Sequence, residues 1–372
     1  MSLTGLPLLV LLSALVVAAL AGTLRWWRAL AAAGWRAGAA RLAVLAGCQV
    51  LLCLTVLAAV NRHFAFYASW GELPLIATAD GGGRVDRQEG GAGATSRIVA
   101  RPPDASVGGT PEQNGELRTV DVQGARSGLH AHGYVYLPPQ YFAVSARHRR
   151  FPVTIVLSGY PGAVRNLVTQ VKVPATVLAE TRAGRVPPMI YMMLRPVVGQ
   201  ERDTECNDVP GGPQVATFFA QDLPEALRGA YRTAPERAGW GLFGISTGGY
   251  CSLKLAMRHS DVFAAAASLS GYYGAIKDLT TGELYGGSQA VRDESDLFWR
   301  LEHLPSPPVS VLVTTSEQGE RNKEGTLRFL SLVKPPMRAT SIVLDSGGHN
   351  FQTWERVLPG VLRWMGARLR AT

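Results

Sequence analysis

Charge is missing from two long stretches near the start of the chain: no residue from Ser2 to Leu24 is acidic or basic, and none from Leu42 to Asn61. That absence excludes an ordinary solvated surface for either run. A helix rising about 1.5 Å per residue needs ~20 apolar residues to cross a hydrocarbon core, and each run supplies that length. The sequence therefore predicts a membrane anchor over residues 1–62, with spans at about 4–24 and 42–61. Basic residues before the first run are also lacking, and a second run follows it. A cleaved leader starts with a basic segment and stands alone, so that alternative fits less well.

Cysteine is scarce, with four in the whole chain, and neither a CxxC pair nor zinc-type spacing occurs. A disulfide-rich scaffold and a zinc module are both excluded. Cys48 and Cys53 fall inside the second apolar run, where a small thiol behaves as an apolar residue. No Lys/Arg-dense run with interleaved aromatics appears in the large C-terminal part, so nucleic acid is not an expected partner despite a net charge of +9. No metal site and no cofactor is expected, and there is no internal repeat.

What is present first sets orientation. Arg25, Arg28, Arg36 and Arg41 all lie between the two runs. Lys and Arg beside spans are retained on the cytoplasmic side, which predicts a multi-pass plasma-membrane protein with everything after Asn61 outside. Trp26, Trp27 and Trp35, with Phe64, Phe66, Tyr67 and Trp70 past the second run, suit headgroup depth. Outside the cytoplasm, the remaining thiols Cys206 and Cys251 are expected to pair.

Residues 63–115 read as a juxtamembrane segment and flexible linker, the stretch 78–115 being rich in glycine and proline and poor in large apolar residues. From Glu116 to Thr372 the pattern changes to short apolar runs alternating with longer helical ones. Strands are predicted at 118–123, His132 to Leu137, Phe151 to Leu157, Met189 to Leu194, Gly239 to Gly244, Ala264 to Leu269, Val309 to Thr314 and Ser341 to Leu344. Helices are predicted at Ala163 to Ala183, Val215 to Tyr231, Gly248 to His259, Lys323 to Leu332 and Thr353 to Leu369. Fully apolar strands alternating with helices imply a doubly wound, mostly parallel α/β sheet covered on both faces.

Gly244-Ile245-Ser246-Thr247-Gly248 fits G-x-S-x-G, with an apolar strand before it and a helix after it. Glycines are needed where a strand turns sharply into a helix around a strained serine, and the helix N-terminus offers N–H groups to a developing oxyanion. The bland alternative is a glycine-rich connector with an ordinary serine. A serine hydroxyl needs a base, which in this arrangement comes last in the chain. Of seven histidines, His349 is the candidate: it follows a strand and the Ser346-Gly347-Gly348 turn and precedes a helix. His63, His148, His259 and His303 occupy juxtamembrane, basic-loop, helix-end and proline-rich positions, and His130 with His132 alternates on a strand without a third metal ligand. A carboxylate should fix the imidazole tautomer. Glu320 is favoured, Glu317 is next, Glu324 lies one turn on, and Asp345 is close to His349. The turn Ser158-Gly159-Tyr160-Pro161-Gly162 should supply the second oxyanion donor, pairing the N–H of Tyr160 with that of Thr247.

These residues resemble the esterase D and antigen 85 mycolyltransferase superfamily of α/β-hydrolases, in particular its membrane-anchored actinobacterial esterase-like members. The resemblance rests on Tyr136-Leu137-Pro138-Pro139-Gln140-Tyr141, Leu157 to Gly162, Arg202-Asp203-Thr204-Glu205-Cys206, Gly244 to Tyr250, Leu269-Ser270-Gly271-Tyr272-Tyr273, and Gly347 to Phe351 with Trp354. It implies acyl-ester chemistry through an acyl-Ser246 intermediate, with an acidic residue and His349 completing a triad. Where soluble esterase D relatives carry Leu-His-Gly, this chain has Leu157-Ser158-Gly159, so a formylglutathione-type substrate is not carried over. The expected activity is that of an extracytoplasmic serine esterase or acyltransferase on envelope lipid or carbohydrate esters. A non-catalytic envelope or ligand-binding protein and a peptidase on the same fold are the alternatives.

Overall fold

In the computed structural model, which describes residues 5–31, 33–64, 95–199 and 202–371, the two uncharged runs are helices. The first, α1 (Leu6–Arg25), has 20 residues and the second, α2 (Trp35–Phe64), has 30. Both are long and apolar enough to cross a membrane, each with a mean hydropathy of 2.4 over its best window. They pack against one another within a first compact unit, Met1–Asp80. The aromatics Phe66, Tyr67 and Trp70 and the segment 78–94 lie outside the described residues.

The second unit, Gly81–Thr372, is built on one sheet. Its strands are β1 (Arg97–Ala100), β2 (Glu116–Gln123), β3 (His130–Leu137), β4 (Val153–Leu157), β5 (Ile190–Leu194), β6 (Trp240–Ile245), β7 (Ala265–Leu269), β8 (Ser310–Gln318) and β9 (Arg338–Ser346). Spatial order is β1-β2-β3-β5-β4-β6-β7-β8-β9. The first three pairings are antiparallel and the rest parallel. Every residue of β4, β5, β6 and β7 is buried, as expected of strands covered on both faces. The mostly parallel α/β sheet is thus the one the apolar runs predict. Strand order reverses at β4, which has β5 on one side and β6 on the other, and a crevice opens at the carboxyl ends of such a pair.

Three expectations need correcting. Part of the supposed linker is structured: β1 pairs antiparallel with β2, Arg97 opposite Gln123. Its anchor is Ser96, whose hydroxyl donates to the buried Asp222 carboxylate at 2.9 Å, and that carboxylate also accepts the Arg126 and Ser127 amides. A four-residue strand on which only Ile98 packs against the core leaves too short an apolar pattern to notice. The helix expected from Ala163 to Ala183 is two helices, α3 (Arg165–Thr169) and α4 (Val173–Arg182), parted at Lys172, which adopts φ 58°. The helix expected from Val215 to Tyr231 begins as one turn, widens into a π-helical stretch over Phe218–Asp222 and continues as α5 (Leu223–Ala230). Pro224 explains this, because its ring nitrogen cannot donate the bond a regular helix requires there.

The longer helices that follow are α6 (Thr247–Arg258), α7 (Gln289–Ser295), α8 (Leu297–His303), α9 (Lys323–Leu332) and α10 (Phe351–Gly366). α6 packs on β6 and β7, and α10 packs on β7 and α4. The short pair α7 and α8 was not expected from the sequence. Each is opened by a side-chain cap, Ser288 for α7 and Asp296 for α8.

Candidate active site

Ser246 sits between β6 and α6 with φ 54° and ψ −123°, a conformation side chains rarely adopt. The flanking glycines allow the turn. A Cβ at Gly244 would lie 2.3 Å from the Gly248 backbone, and one at Gly248 would lie 2.3 Å from the Ser158 carbonyl oxygen. The tight strand-to-helix turn leaves the Ser246 hydroxyl at the carboxyl end of the sheet, beside the loop after β4. That loop comes close: a Cβ built on Gly159 would be 3.3 Å from the Ser246 Cβ. Tyr160 is the next residue, and Thr247 opens α6, at the end of a helix where the leading N–H groups point away from its own ladder.

His349 lies directly before α10. Asn350 caps that helix, its side chain accepting the Thr353 N–H at 3.0 Å, which fixes the backbone where the imidazole emerges. His349 Nε2 is 2.9 Å from Ser246 Oγ, and His349 Nδ1 is 3.2 Å from Glu320 Oε1. The imidazole is 44% exposed and the Glu320 side chain only 2%, so the acid is withdrawn from water while the base borders the crevice. The loops carrying them nest closely, since a Cβ on Gly319 (φ 92°) would meet the Gly347 carbonyl oxygen at 2.8 Å. The second Glu320 oxygen accepts the Ser270 hydroxyl at 2.8 Å.

The structure thus brings Ser246, His349 and Glu320 into one hydrogen-bonded chain and leaves the competing carboxylates elsewhere. Glu317 is exposed and pairs with Lys323, while Glu324 and Asp345 are exposed on α9 and β9. His132 meets Asp121 on the antiparallel side of the sheet, and His303 stacks on Trp299. Among the described residues no group of three or more His, Cys, Asp or Glu side chains is arranged to hold a metal ion.

Behind the serine turn lies a buried polar cluster for which the only sequence signal was the Arg202 to Cys206 stretch. Cys206 and Cys251 are disulfide-bonded, their Cα atoms 5.7 Å apart, tying that stretch to α6. Glu205 and Cys206 have φ of 49° and 53°. The Glu205 carboxylate accepts the Tyr272 hydroxyl at 2.7 Å, and the Asp203 carboxylate accepts the Glu205 N–H at 2.8 Å. Burial pushes the Asp203 and Glu205 carboxyls above their ordinary range and pulls the Lys254 ammonium below its own.

Known proteins share this architecture. Residues 125–365 match the family model described as "Putative esterase". An uncharacterized protein of Corynebacterium glutamicum is 22% identical over 347 residues, which cover 90% of this chain and 78% of that protein. Among solved structures, a ferulic acid esterase aligns with a TM-score of 0.57 at 17% identity, over 74% of this chain and 99% of its own. An S-formylglutathione hydrolase from Agrobacterium tumefaciens aligns at 0.59 and 16% identity, over 74% of this chain and all 100% of its own. A fluorophosphonate-binding serine hydrolase of Staphylococcus aureus gives 0.54 and 16% identity, over 67% of this chain and 97% of its own. At these identities the structural likeness carries the fold.

Proposed function

Because this chain belongs to the esterase family, we propose that it is a serine esterase acting through an acyl-Ser246 intermediate, displayed outside the plasma membrane on its two apolar helices. The observation that carries the reading is the chain of contacts from Ser246 Oγ through the His349 imidazole to Glu320, at 2.9 and 3.2 Å. With His349 Nδ1–H donating to Glu320, Nε2 is the unprotonated nitrogen and faces the hydroxyl.

The reaction then runs in two halves. Ser246 Oγ attacks the ester carbonyl carbon as His349 Nε2 takes its proton. The oxyanion forms between the N–H groups of Tyr160 and Thr247. Collapse breaks the C–O bond, and His349 returns the proton to the departing alcohol. Water or a second hydroxyl, deprotonated by the same nitrogen, attacks the acyl-serine and frees Ser246. Glu320 stays ionised throughout and balances the imidazolium.

The outside location is supported by Arg25, Arg28, Arg36 and Arg41, all between the two uncharged runs. It makes esters of the cell envelope, lipid or carbohydrate, the favoured substrate class, and the bilayer itself the standing partner. An envelope hydroxyl in place of water would turn hydrolysis into acyl transfer. Labelling of the full-length protein with a fluorophosphonate tests the chemistry. Wild type should label, and Ser246→Ala and His349→Ala should not; a folded wild type that stays unlabelled would sink the mechanism. Adding an alcohol acceptor during ester turnover separates the two fates, because transfer diverts product to the new ester. Protease added outside intact cells should digest the second unit, and protection there would reverse the orientation.

A further inference from the structure

The indole N–H of Trp354 donates to Ser270 Oγ at 3.0 Å, and the hydroxyl of Ser270 donates onward to Glu320 Oε2 at 2.8 Å. The direction is unambiguous, since an indole N–H only donates and an ionised carboxylate only accepts. Ser270 therefore spends one lone pair on Trp354 and its single hydrogen on Glu320. Both residues are buried, Ser270 4% and Trp354 6% exposed, so water does not compete for either bond. Trp354 also touches the base, its ring standing edge-on to the His349 imidazole with centroids 5.1 Å apart at 86°. Ser270 is held at φ 54°, where glycine is the ordinary choice, at the carboxyl end of β7.

From these contacts we infer that Ser270 and Trp354 are positioning residues for the esterase reaction, a relay that aims the Glu320 carboxylate at His349 Nδ1 while Trp354 sets the plane of the same imidazole. The inference rests on the esterase reading above. Neither residue touches the ester. Their effect passes through the acid and the base. A buried carboxylate that loses one of its two bonded oxygens' partners can rotate, and a rotated carboxylate no longer fixes the imidazole tautomer. The strained φ at Ser270 fits this reading: a glycine would relieve the backbone, but only a hydroxyl completes the relay.

Two variants of the full-length protein in detergent separate position from packing. Ser270→Gly removes the hydroxyl at a backbone angle glycine accepts, and Trp354→Phe removes the N–H while keeping an aromatic ring beside His349. Turnover of p-nitrophenyl acetate should show kcat down roughly ten- to a hundredfold in each, with KM unchanged, from loss of a hydrogen bond serving a charged group. The acid limb of the kcat/KM profile should move with it. The double variant should be no slower than the slower single one, because one relay is broken once. Wild-type kcat in Ser270→Gly, or losses that multiply in the double variant, would overturn the relay. A wild type that fluorophosphonate does not label overturns the esterase reading itself; a labelled wild type beside an undiminished Ser270→Gly overturns the relay alone.

Discussion

Lys254, on α6, donates one hydrogen bond to the backbone carbonyl of Glu205 and another, at 3.0 Å, to the Asn207 side chain. Its ammonium also lies 4.7 Å from the Tyr250 ring centroid. A charged side chain 1% exposed is tolerable only because each of these groups faces it, with the Glu205 and Asp203 carboxylates close by.

Replacing Lys254 with Met should therefore destabilise the second unit by about 3–5 kcal/mol, the usual cost of leaving a buried partner unpaired. Thermal unfolding of the full-length protein in detergent measures this. A variant within about 0.5 kcal/mol of wild type would mean that the cluster is already solvated.

Reduction of the Cys206 to Cys251 bond should cost about 2–4 kcal/mol, as expected of a cross-link closing a segment of 45 residues. Because this bond ties the Arg202 to Cys206 stretch to α6, the helix that follows Ser246, esterase activity should fall before the protein melts. Parallel melts and assays with and without reductant, on protein whose mass confirms the bond, read both effects.

Glu320→Gln should lower kcat by about 10⁴, since an amide beside Nδ1 favours the wrong imidazole tautomer. Glu317→Gln should leave kcat unchanged, because Glu317 is exposed and meets only Lys323. Equal losses in the two variants would reject Glu320 as the orienting acid.

Acid should weaken the fold in part through Glu180 in α4. The Arg185 and Arg363 guanidiniums bond to its carboxylate at 2.7 to 3.1 Å and hold it at about 2, against an ordinary value near 4.5. Between those values the unfolded chain binds the extra proton. The contribution is thus complete above pH 4.5 and disappears as pH falls toward 2. Glu180→Gln should flatten the decline of melting temperature across that window, and an unchanged slope would show that other carboxylates control it.

How far the sequence alone reaches depends on whether a feature is local. The serine turn was legible because two glycines and a strand-then-helix pattern determine it within a few residues, and His349 because its turn and capped helix are equally local. Glu320 was favoured over Glu317 from chain order, but the bend that turns it inward, Gly319 at φ 92°, carries no such pattern. Ser270 lies 50 residues from Glu320 and 84 from Trp354, a separation no periodicity encodes. β1 escaped notice for a different reason: its hold on the fold comes from Asp222, on a helix more than a hundred residues away.

The nucleophile belongs to β6, at the centre of the sheet, whereas acid and base hang from β8 and β9, and β9 is a largely exposed margin. The two halves of the chemistry therefore have unequal tenure. Fraying at that margin would carry off His349 and slacken Glu320 together while Ser246 stayed in place, so inactivation on warming should run ahead of melting and reverse on cooling.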